Sequence, residues 1–151
     1  MLDITLIVVG KIKDKNYQAA TIEYIKRLKP YIRLKVVELT AVPFSANSQE
    51  QAKEIEGKRI KESLSSRAGQ VFLLAERGRF FSSPDFAAFM EKNQPLTLVI
   101  GWALGFSAEL YRSYPQLSLS PLTFPHELAR VVLLEQLYRA AAILSKKDYH
   151  Y

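Results

Sequence analysis

The sequence predicts an α/β fold in which a mostly parallel sheet carries helices on both faces. Short, continuous apolar runs such as ITLIVVG (4–10) and LTLVIG (96–101) are typical of strands that are buried on both faces. Segments with a helical apolar stripe alternate with these runs, and this alternation is the pattern of parallel sheets. The 151 residues contain no repeat and no linker-like stretch, so we expect one domain over 1–151.

The first half of the chain supplies two strands and two helices. After the first strand, a helix is predicted over 14–29, because Pro30 cannot continue it. LKVVEL (34–39) is predicted as the second strand. A second helix is predicted over 47–67, which is polar and charged on most sides and is therefore expected to face solvent. Its thin apolar stripe consists of Ile55, Ile60 and Leu64.

The second half continues the alternation. Ser83 and Pro84 open a helix that follows the third strand, since a proline early in a helix lacks only an N–H that would be unpaired anyway. The elements predicted here are a strand over 70–75, a helix over 83–93, a strand over 96–101, a short helix over 107–113, a last short strand within 116–124 and a final helix over 125–144.

Ligands of parallel sheets bind beyond the carboxyl ends of the strands. In this chain three such ends are AERGR (75–79), IGWALG (100–105) and SLSPLTFPH (118–126). The glycines of IGWALG allow a backbone to approach a ligand closely. The stretch is neither GxGxxG nor a P-loop, and a plain tight turn is the alternative. We therefore expect a site in the second half of the chain.

The composition excludes several kinds of site. The chain has no cysteine, which excludes disulfides and thiolate chemistry and fits a cytosolic location. No run approaches the roughly 18 apolar residues of a membrane helix, so we expect a soluble, cytoplasmic protein without a membrane partner. The two histidines, His126 and His150, lie far apart and make a poor metal site, so no metal is expected. Serine-hydrolase chemistry is unsupported, because Ser118 and Ser120 have no His–Asp partner at a useful spacing.

The chain is basic, with 21 Lys and Arg against 15 Asp and Glu, a net charge of +6. This excess is compatible with a polyanionic partner such as RNA, although many basic proteins bind no nucleic acid. For each basic residue an ordinary solvated surface is the alternative to an RNA contact. The candidate contacts are Lys11, Lys13, Lys15, Arg77 and Arg79.

The final helix is apolar around nearly its whole circumference, which implies burial on every side. It therefore either lies centrally in the core or packs against a second copy, and a two-fold dimer is the commonest closed assembly. We favour the dimer, with partial exposure of one face as the alternative. Glu135 and Arg139 are four residues apart and can form an ion pair. His126, at the start of the helix, is interpreted as a hydrogen-bonded structural residue, with a ligand or base as the alternative.

Three stretches carry a resemblance to a known family. They are VVGKIKD (8–14), LLAERGR (73–79) and SLSPLTFPHELARVVLLEQLYRAAAIL (118–144) with a terminal YHY (149–151). With these motifs the whole chain resembles the small SPOUT-class methyltransferases typified by ribosomal RNA large subunit methyltransferase H. The resemblance implies a homodimer, S-adenosylmethionine as the methyl donor, and N3 of a pseudouridine in 23S rRNA of assembled ribosomes as the acceptor. It also implies that the C-terminal segment forms a trefoil knot, against the general rule that chains do not knot.

Site residues follow from the resemblance by position. His150 is the candidate proton acceptor, with Tyr149 and Arg139 orienting the base or its phosphate, and solvent is the alternative acceptor. The resemblance implies a cofactor pocket formed by Leu74, Gly101, Trp102, Gly105, Leu119, Ser120, Pro121, Leu122, Thr123, Phe124 and Pro125.

The chain departs from the family pattern at Trp102, where the family usually has the second of two consecutive glycines. If that position requires a positive φ, the tryptophan costs about 1–2 kcal/mol in strain. An indole inside the pocket would leave a non-catalytic relative that binds RNA or the ribosome. An indole that points away, or that stacks on an RNA base, would leave an active enzyme. A methyltransferase acting on another RNA is a further alternative.

Overall fold

The structure is a computed structural model that describes residues 1–43, 45 and 48–151. In these residues, strands and helices alternate along the chain as predicted. The elements are β1 (Leu2–Val9), α1 (Lys15–Leu28), β2 (Ile32–Leu39), α2 (Gln49–Leu64), β3 (Gln70–Phe80), α3 (Ser83–Lys92), β4 (Leu96–Ile100), α4 (Ala108–Ser113), β5 (Gln116–Ser118) and α5 (His126–Leu144).

All pairings between the strands are parallel, in the order β2-β1-β4-β3-β5. Alternate residues of β1 point to opposite faces, so Ile4, Leu6 and Val8 pack under α1, α3 and α5, whereas Ile7 and Val9 pack under α2 and α4. This confirms the predicted α/β sheet with helices on both faces. The C-terminal knot is consistent with this strand order and stays a prediction.

Side-chain caps define most helix starts. Asp14 accepts hydrogen bonds from the N–H groups of residues 16 and 17 at the start of α1. Ser48 and Gln51 form a reciprocal capping box on α2. Asn47, where this helix was predicted to begin, lies outside the described residues. Pro125 occupies the N-cap position of α5 and makes no side-chain cap, so its predicted place inside the first helical turn is wrong by one residue.

The buried side of α2 differs from its predicted stripe. Ile60 and Leu64 are buried as expected, but Ile55 is only half-buried, and Ala52 and Glu56 complete the inward row at intervals of four residues. Glu56 is buried because its carboxylate accepts the N–H of Val42 at 2.8 Å. Burial raises the pKa of this carboxyl group.

β3 is longer than predicted, because it continues through residues 75–80 instead of ending at Ala75. Leu74 and Arg79 both pair with Leu117 of β5, so residues 75–78 form a bulge between them. Gly78 permits this arrangement, since a Cβ there would lie 2.6 Å from the carbonyl carbon of Leu117. The bulge brings its residues to the carboxyl edge of the sheet.

The predicted burial of α5 on every side is only partly met within a single chain, because its fully buried residues are spaced mostly three or four apart along one face. Each of its residues is buried or half-buried within a single chain, and Leu133, Leu134 and Leu137 are fully buried. None of the helices in the described part of the chain is long and apolar enough to cross a membrane.

Candidate functional site

A cleft of about 1020 Å³ lies at the carboxyl ends of β3, β4 and β5. This volume is at the upper end of the range for small-molecule sites, roughly 300–1,000 Å³. Its walls are formed by residues 74–77, 100–106 and 119–126. Within these ranges, Pro121 is the one residue that does not line the cleft. These are the three strand ends that the sequence analysis selected, so the predicted position of the crevice is confirmed.

The β3 bulge forms the first wall. It presents Leu74, which was predicted to be a site residue, together with Ala75, Glu76 and Arg77. The bulge depends on pairing with a strand about 40 residues further along the chain, so no local sequence signal indicated its exact residues.

The glycine turn after β4 forms the second wall. Gly105 has a φ of +76°, and its N–H donates to the carbonyl of Trp102 at 2.9 Å, which closes a tight turn. Phe106 is buried beneath the turn and meets Tyr111 edge-on, with the ring centroids 5.6 Å apart. Gly101 lies against the Phe106 ring, which a Cβ would approach to 3.1 Å.

The third wall follows β5 and is shaped by its serines. The Ser118 hydroxyl donates to the carbonyl of Ser120 at 2.9 Å, and the Ser120 hydroxyl accepts the N–H of Leu122 at 3.0 Å. These bonds fold the turn locally and leave the Leu122 side chain 71% exposed at the cleft. Pro121 is exposed and is absent from the cleft lining. The other predicted cofactor residues of this segment line the cleft, namely Leu119, Ser120, Leu122, Thr123, Phe124 and Pro125.

The indole of Trp102 lies at the edge of the cleft and leaves its volume open. Its ring packs on Gly10, where a Cβ would come within 2.0 Å of Cζ3, and its centroid is 3.9 Å from that of His126. Among the described non-glycine residues, a positive φ occurs at Lys146 and not at Trp102, so the strain considered above does not arise. This geometry argues against an indole that blocks the pocket, since Trp102 lines the cleft without filling it.

His126 also lines the cleft, but its surroundings differ from the expectation. Its Nε2 atom is buried and has no hydrogen-bond partner in the described part of the chain, and the nearest carboxylate oxygen, of Glu127, lies 4.0 Å away. The interpretation as a hydrogen-bonded structural histidine is therefore wrong for Nε2, and the ring instead packs against the indole of Trp102 at an interplanar angle of 43°. Burial lowers the pKa of His126, with the charge of Glu127 opposing this shift.

Arg130, one turn further along α5, is a buried charge that the sequence analysis did not single out. It is 6% exposed, and it donates to the Gly10 carbonyl at 2.9 Å and to the Glu38 carboxylate at 3.0 Å. The sequence contained a signal, since a lone arginine interrupts an otherwise apolar stretch. Its partners could not be inferred, because Glu38 lies 92 residues away along the chain.

The three predicted catalytic residues lie together at the other end of α5. Arg139 donates twice to Oε1 of Glu135, at 2.6 and 3.0 Å, which confirms the predicted ion pair. The Tyr149 hydroxyl donates to the same oxygen at 3.2 Å, and Nη1 of Arg139 lies 3.3 Å from Nδ1 of His150. Burial, with hydrogen bonds to Tyr24 and Glu135, raises the pKa of Tyr149 to about 12.

This tail cluster, formed by Glu135, Arg139, Tyr149 and His150, does not belong to the cleft of its own chain. None of the four residues lines the cleft. Arg139 follows His126 by 13 positions in one continuous helix, which separates them by roughly 20 Å. Within the described residues, no three His, Cys, Asp or Glu side chains come together as they would to hold a metal ion.

Comparison with known proteins identifies the family. A family model described as a predicted SPOUT methyltransferase matches residues 2–150. The chain is 39% identical to ribosomal RNA large subunit methyltransferase H of Desulfitobacterium hafniense, with 99% of each chain covered. It is 40% identical to proteins of the same name from Clostridium acetobutylicum and Carboxydothermus hydrogenoformans, again over 99% of each chain. The chain therefore belongs to the SPOUT methyltransferase family.

Proposed function

We propose that this protein transfers a methyl group from S-adenosylmethionine to N3 of a pseudouridine in 23S rRNA of assembled ribosomes, in the cytoplasm. The observation that carries this proposal is the open three-walled cleft at the strand ends of a SPOUT methyltransferase. The names of full-length relatives support ribosomal RNA of the large subunit as the substrate. The net charge of +6 supports a polyanionic substrate.

The residues of the cleft fit an adenosine-bearing ligand. Leu74, Ile100, Leu119 and Phe124 supply apolar contacts for a base, and the backbone of 101–105 offers polar groups for its edge. With Trp102 packed on Gly10, the remaining space is large enough for such a ligand. When bound, S-adenosylmethionine supplies a methyl group on a sulfonium centre that is already activated for displacement. The protein therefore contributes mainly by positioning the two reactants.

The acceptor nitrogen has to lose a proton, and the tail cluster offers a group that can take it. His150 is exposed beside Arg139, which is in turn fixed by Glu135, so its imidazole is oriented and accessible. We assign proton acceptance to His150, and orientation of the base or its phosphate to Arg139 and Tyr149. Because its pKa is raised to about 12, the Tyr149 phenol keeps its proton at neutral pH and acts as a donor.

The distance between tail and cleft leads to a homodimer in which each site is shared. The tail cluster lies roughly 20 Å along α5 from the cleft of its own chain. At this distance it can act only on the cleft of another copy. Half-buried Leu128, Val131 and Val132 give α5 apolar surface for such a contact. A two-fold arrangement would place each tail at the other chain's cleft.

The direct test is a methyl-transfer assay with tritiated S-adenosylmethionine on ribosomes and on free ribosomal RNA that lack the modification. We expect label on ribosomes, and mass spectrometry should map it to N3 of a pseudouridine in 23S rRNA. Label on a different nucleotide would redirect the proposal to another RNA site. Binding of ribosomes without any methyl transfer would indicate a non-catalytic relative.

A further inference from the structure

We propose that residues 10–15, the loop between β1 and α1 together with the first residue of α1, are a preformed binding surface for RNA phosphates, and that Glu127 is the residue that positions this loop. The inference rests on the proposed ribosomal RNA substrate and names the part of the protein that holds the RNA backbone beside the cleft. Four features of the loop support it.

The first feature is an alternation of exposed lysines with an anchored residue. Lys11, Lys13 and Lys15 are exposed, whereas Ile12 between the first two is 8% exposed and packs inward. A loop of this kind cannot turn its lysines away from solvent without pulling Ile12 out of the core. The charges are therefore presented in a fixed direction.

The second feature is the fixed backbone on the sheet side of the loop. The Gly10 N–H donates to the carbonyl of Leu39 at 2.7 Å, and its own carbonyl accepts from the buried Arg130 at 2.9 Å. The Ile12 carbonyl accepts from the side-chain amide of Gln18 at 2.7 Å. Such a loop loses little conformational entropy when it binds a ligand.

The third feature is the role of Glu127 in the first turn of α5. A single carboxylate oxygen, Oε1, accepts both the N–H of Lys13 at 2.7 Å and the N–H of Asp14 at 3.1 Å. The carboxylate thus binds the backbone of the loop and leaves the lysine ammonium groups unpaired. Within residues 1–43, 45 and 48–151, none of the three lysines takes part in an ion pair. Unpaired lysines are the groups that release counterions from a phosphate backbone.

The fourth feature is the position of the loop next to the cleft. The indole of Trp102, which lines the cleft, packs on Gly10, the first residue of the loop. Lys13 is close enough to His126, another lining residue, for its charge to help lower the pKa of that histidine. Phosphates held by the loop would flank a nucleotide presented to the cleft.

The test compares two triple variants of the full-length protein. Lys11→Gln/Lys13→Gln/Lys15→Gln removes the proposed contacts, and Lys35→Gln/Lys58→Gln/Lys92→Gln removes equal charge from three exposed but scattered lysines. Affinity for purified ribosomes is measured over a series of potassium chloride concentrations. We expect the loop variant to bind on the order of 30-fold more weakly at physiological salt and its salt slope to fall by about 2–3. Equal losses in the two variants would overturn the proposal, because they would reflect net charge alone.

A second pair of variants isolates Glu127. Glu127→Gln keeps an Oε1 atom that can accept both N–H groups, whereas Glu127→Ala removes it. We expect Gln to preserve or improve ribosome affinity, since it also removes a negative charge, and Ala to weaken it several-fold. In the background of the three loop substitutions, the effect of Glu127→Ala should disappear, because no lysines remain to be positioned. An unchanged effect of Glu127→Ala in that background would exclude the positioning role.

The inference can fail independently of the proposed function. S-adenosylmethionine binding, followed through the fluorescence of Trp102, and thermal unfolding show whether each variant has kept its fold and cleft. If the unsubstituted protein methylates ribosomes and the loop variant binds them with unchanged affinity, the loop assignment alone is wrong. If the unsubstituted protein neither binds S-adenosylmethionine nor methylates ribosomes, the proposed function is wrong.

Discussion

Trp102 and His126 form a tilted aromatic pair that connects the glycine turn with the first turn of α5. The rings are 3.9 Å apart between centroids, and the indole also covers Gly10. Because burial lowers the pKa of His126, the imidazole is neutral at physiological pH, which avoids a further positive charge beside Arg130 and Lys13. A tryptophan is tolerated at this position because Gly10 has no side chain where the indole packs.

The fluorescence of Trp102 can report the protonation of His126, since Trp102 is the single tryptophan of the chain. A protonated imidazole quenches indole emission, so we expect fluorescence to fall on acidification with a midpoint below the ordinary histidine pKa of about 6.5. The stability that His126 contributes is present above this ordinary value and is lost as the pH falls through the lowered folded value. A fluorescence titration measures the midpoint. A midpoint above about 6.5, or an identical transition in His126→Gln, would contradict the assignment.

His150→Ala tests the proposed proton acceptor. The substitution should slow single-turnover methyl transfer to ribosomes by roughly one to four orders of magnitude, the range of general-base catalysis. S-adenosylmethionine affinity should change little, because the substitution removes the proposed proton acceptor and none of the residues proposed to hold the cofactor. Tyr151→Ala is the control, since this neighbouring tail residue is fully exposed. An unchanged rate in His150→Ala would remove His150 from the mechanism.

β3 and α5 illustrate what local sequence patterns predict and what they miss. The existence of each strand and helix followed from apolar periodicity, proline positions and helix caps, all of which act within a few residues. The bulge in β3 did not follow from such local patterns, because it arises only when Leu74 and Arg79 both pair with Leu117 of a distant strand. The Arg130–Glu38 pair is likewise a contact between elements far apart in the chain. The bulge contributes to the cleft lining and Arg130 holds the backbone of Gly10 beside Trp102, so the walls of the cleft were predictable and these longer-range contacts were not.

Gly78→Ala tests the contribution of the bulge. The added Cβ would lie 2.6 Å from a backbone atom of Leu117, which cannot move without shifting β5. We expect the free energy of unfolding to fall by about 1–3 kcal/mol, as in other overpacked positions, and S-adenosylmethionine affinity to decrease. Urea denaturation and calorimetry measure the two effects.

Gly57→Ala is the matched control for this substitution. Gly57 lies inside α2, and an added Cβ would meet the Ser107 hydroxyl at 3.0 Å, a contact that rotation of that side chain relieves at the cost of its long N-cap hydrogen bond from the Leu110 N–H. Alanine also favours the helix over glycine by roughly 0.5–1 kcal/mol. Equal destabilisation by the two substitutions would show that the bulge is not specially constrained.

Considered as a whole, the molecule has its cleft and its tail cluster at opposite ends of α5, and a single copy does not bring these two proposed parts of the site together. The cleft could be placed from the sequence because strand ends of a parallel sheet converge at one edge. The tail cluster could not be placed from the sequence, since its position depends on the length of α5 and on contacts of Tyr149 and Arg139 with Glu135. The distance between the regions is the structural argument for a shared site.

Subunit complementation tests this arrangement. His150→Ala inactivates the tail, and Leu119→Trp fills the cleft with an indole. If each site combines one chain's cleft with the other chain's tail, a mixture of the two inactive variants should regain about one quarter of the activity. Half of randomly paired dimers are mixed, and each mixed dimer has one complete site of two. Absence of any recovered activity in demonstrably mixed dimers would show that each tail serves its own chain.

The turns after β4 and β5 are proposed to enclose a methyl-donor site beside the bulge of β3. Titration calorimetry of S-adenosylmethionine into the purified protein measures whether this site binds the donor. We expect saturable binding that Leu119→Trp abolishes without loss of folded structure. No binding to the correctly folded, unsubstituted protein, or equal binding to Leu119→Trp, would contradict the account.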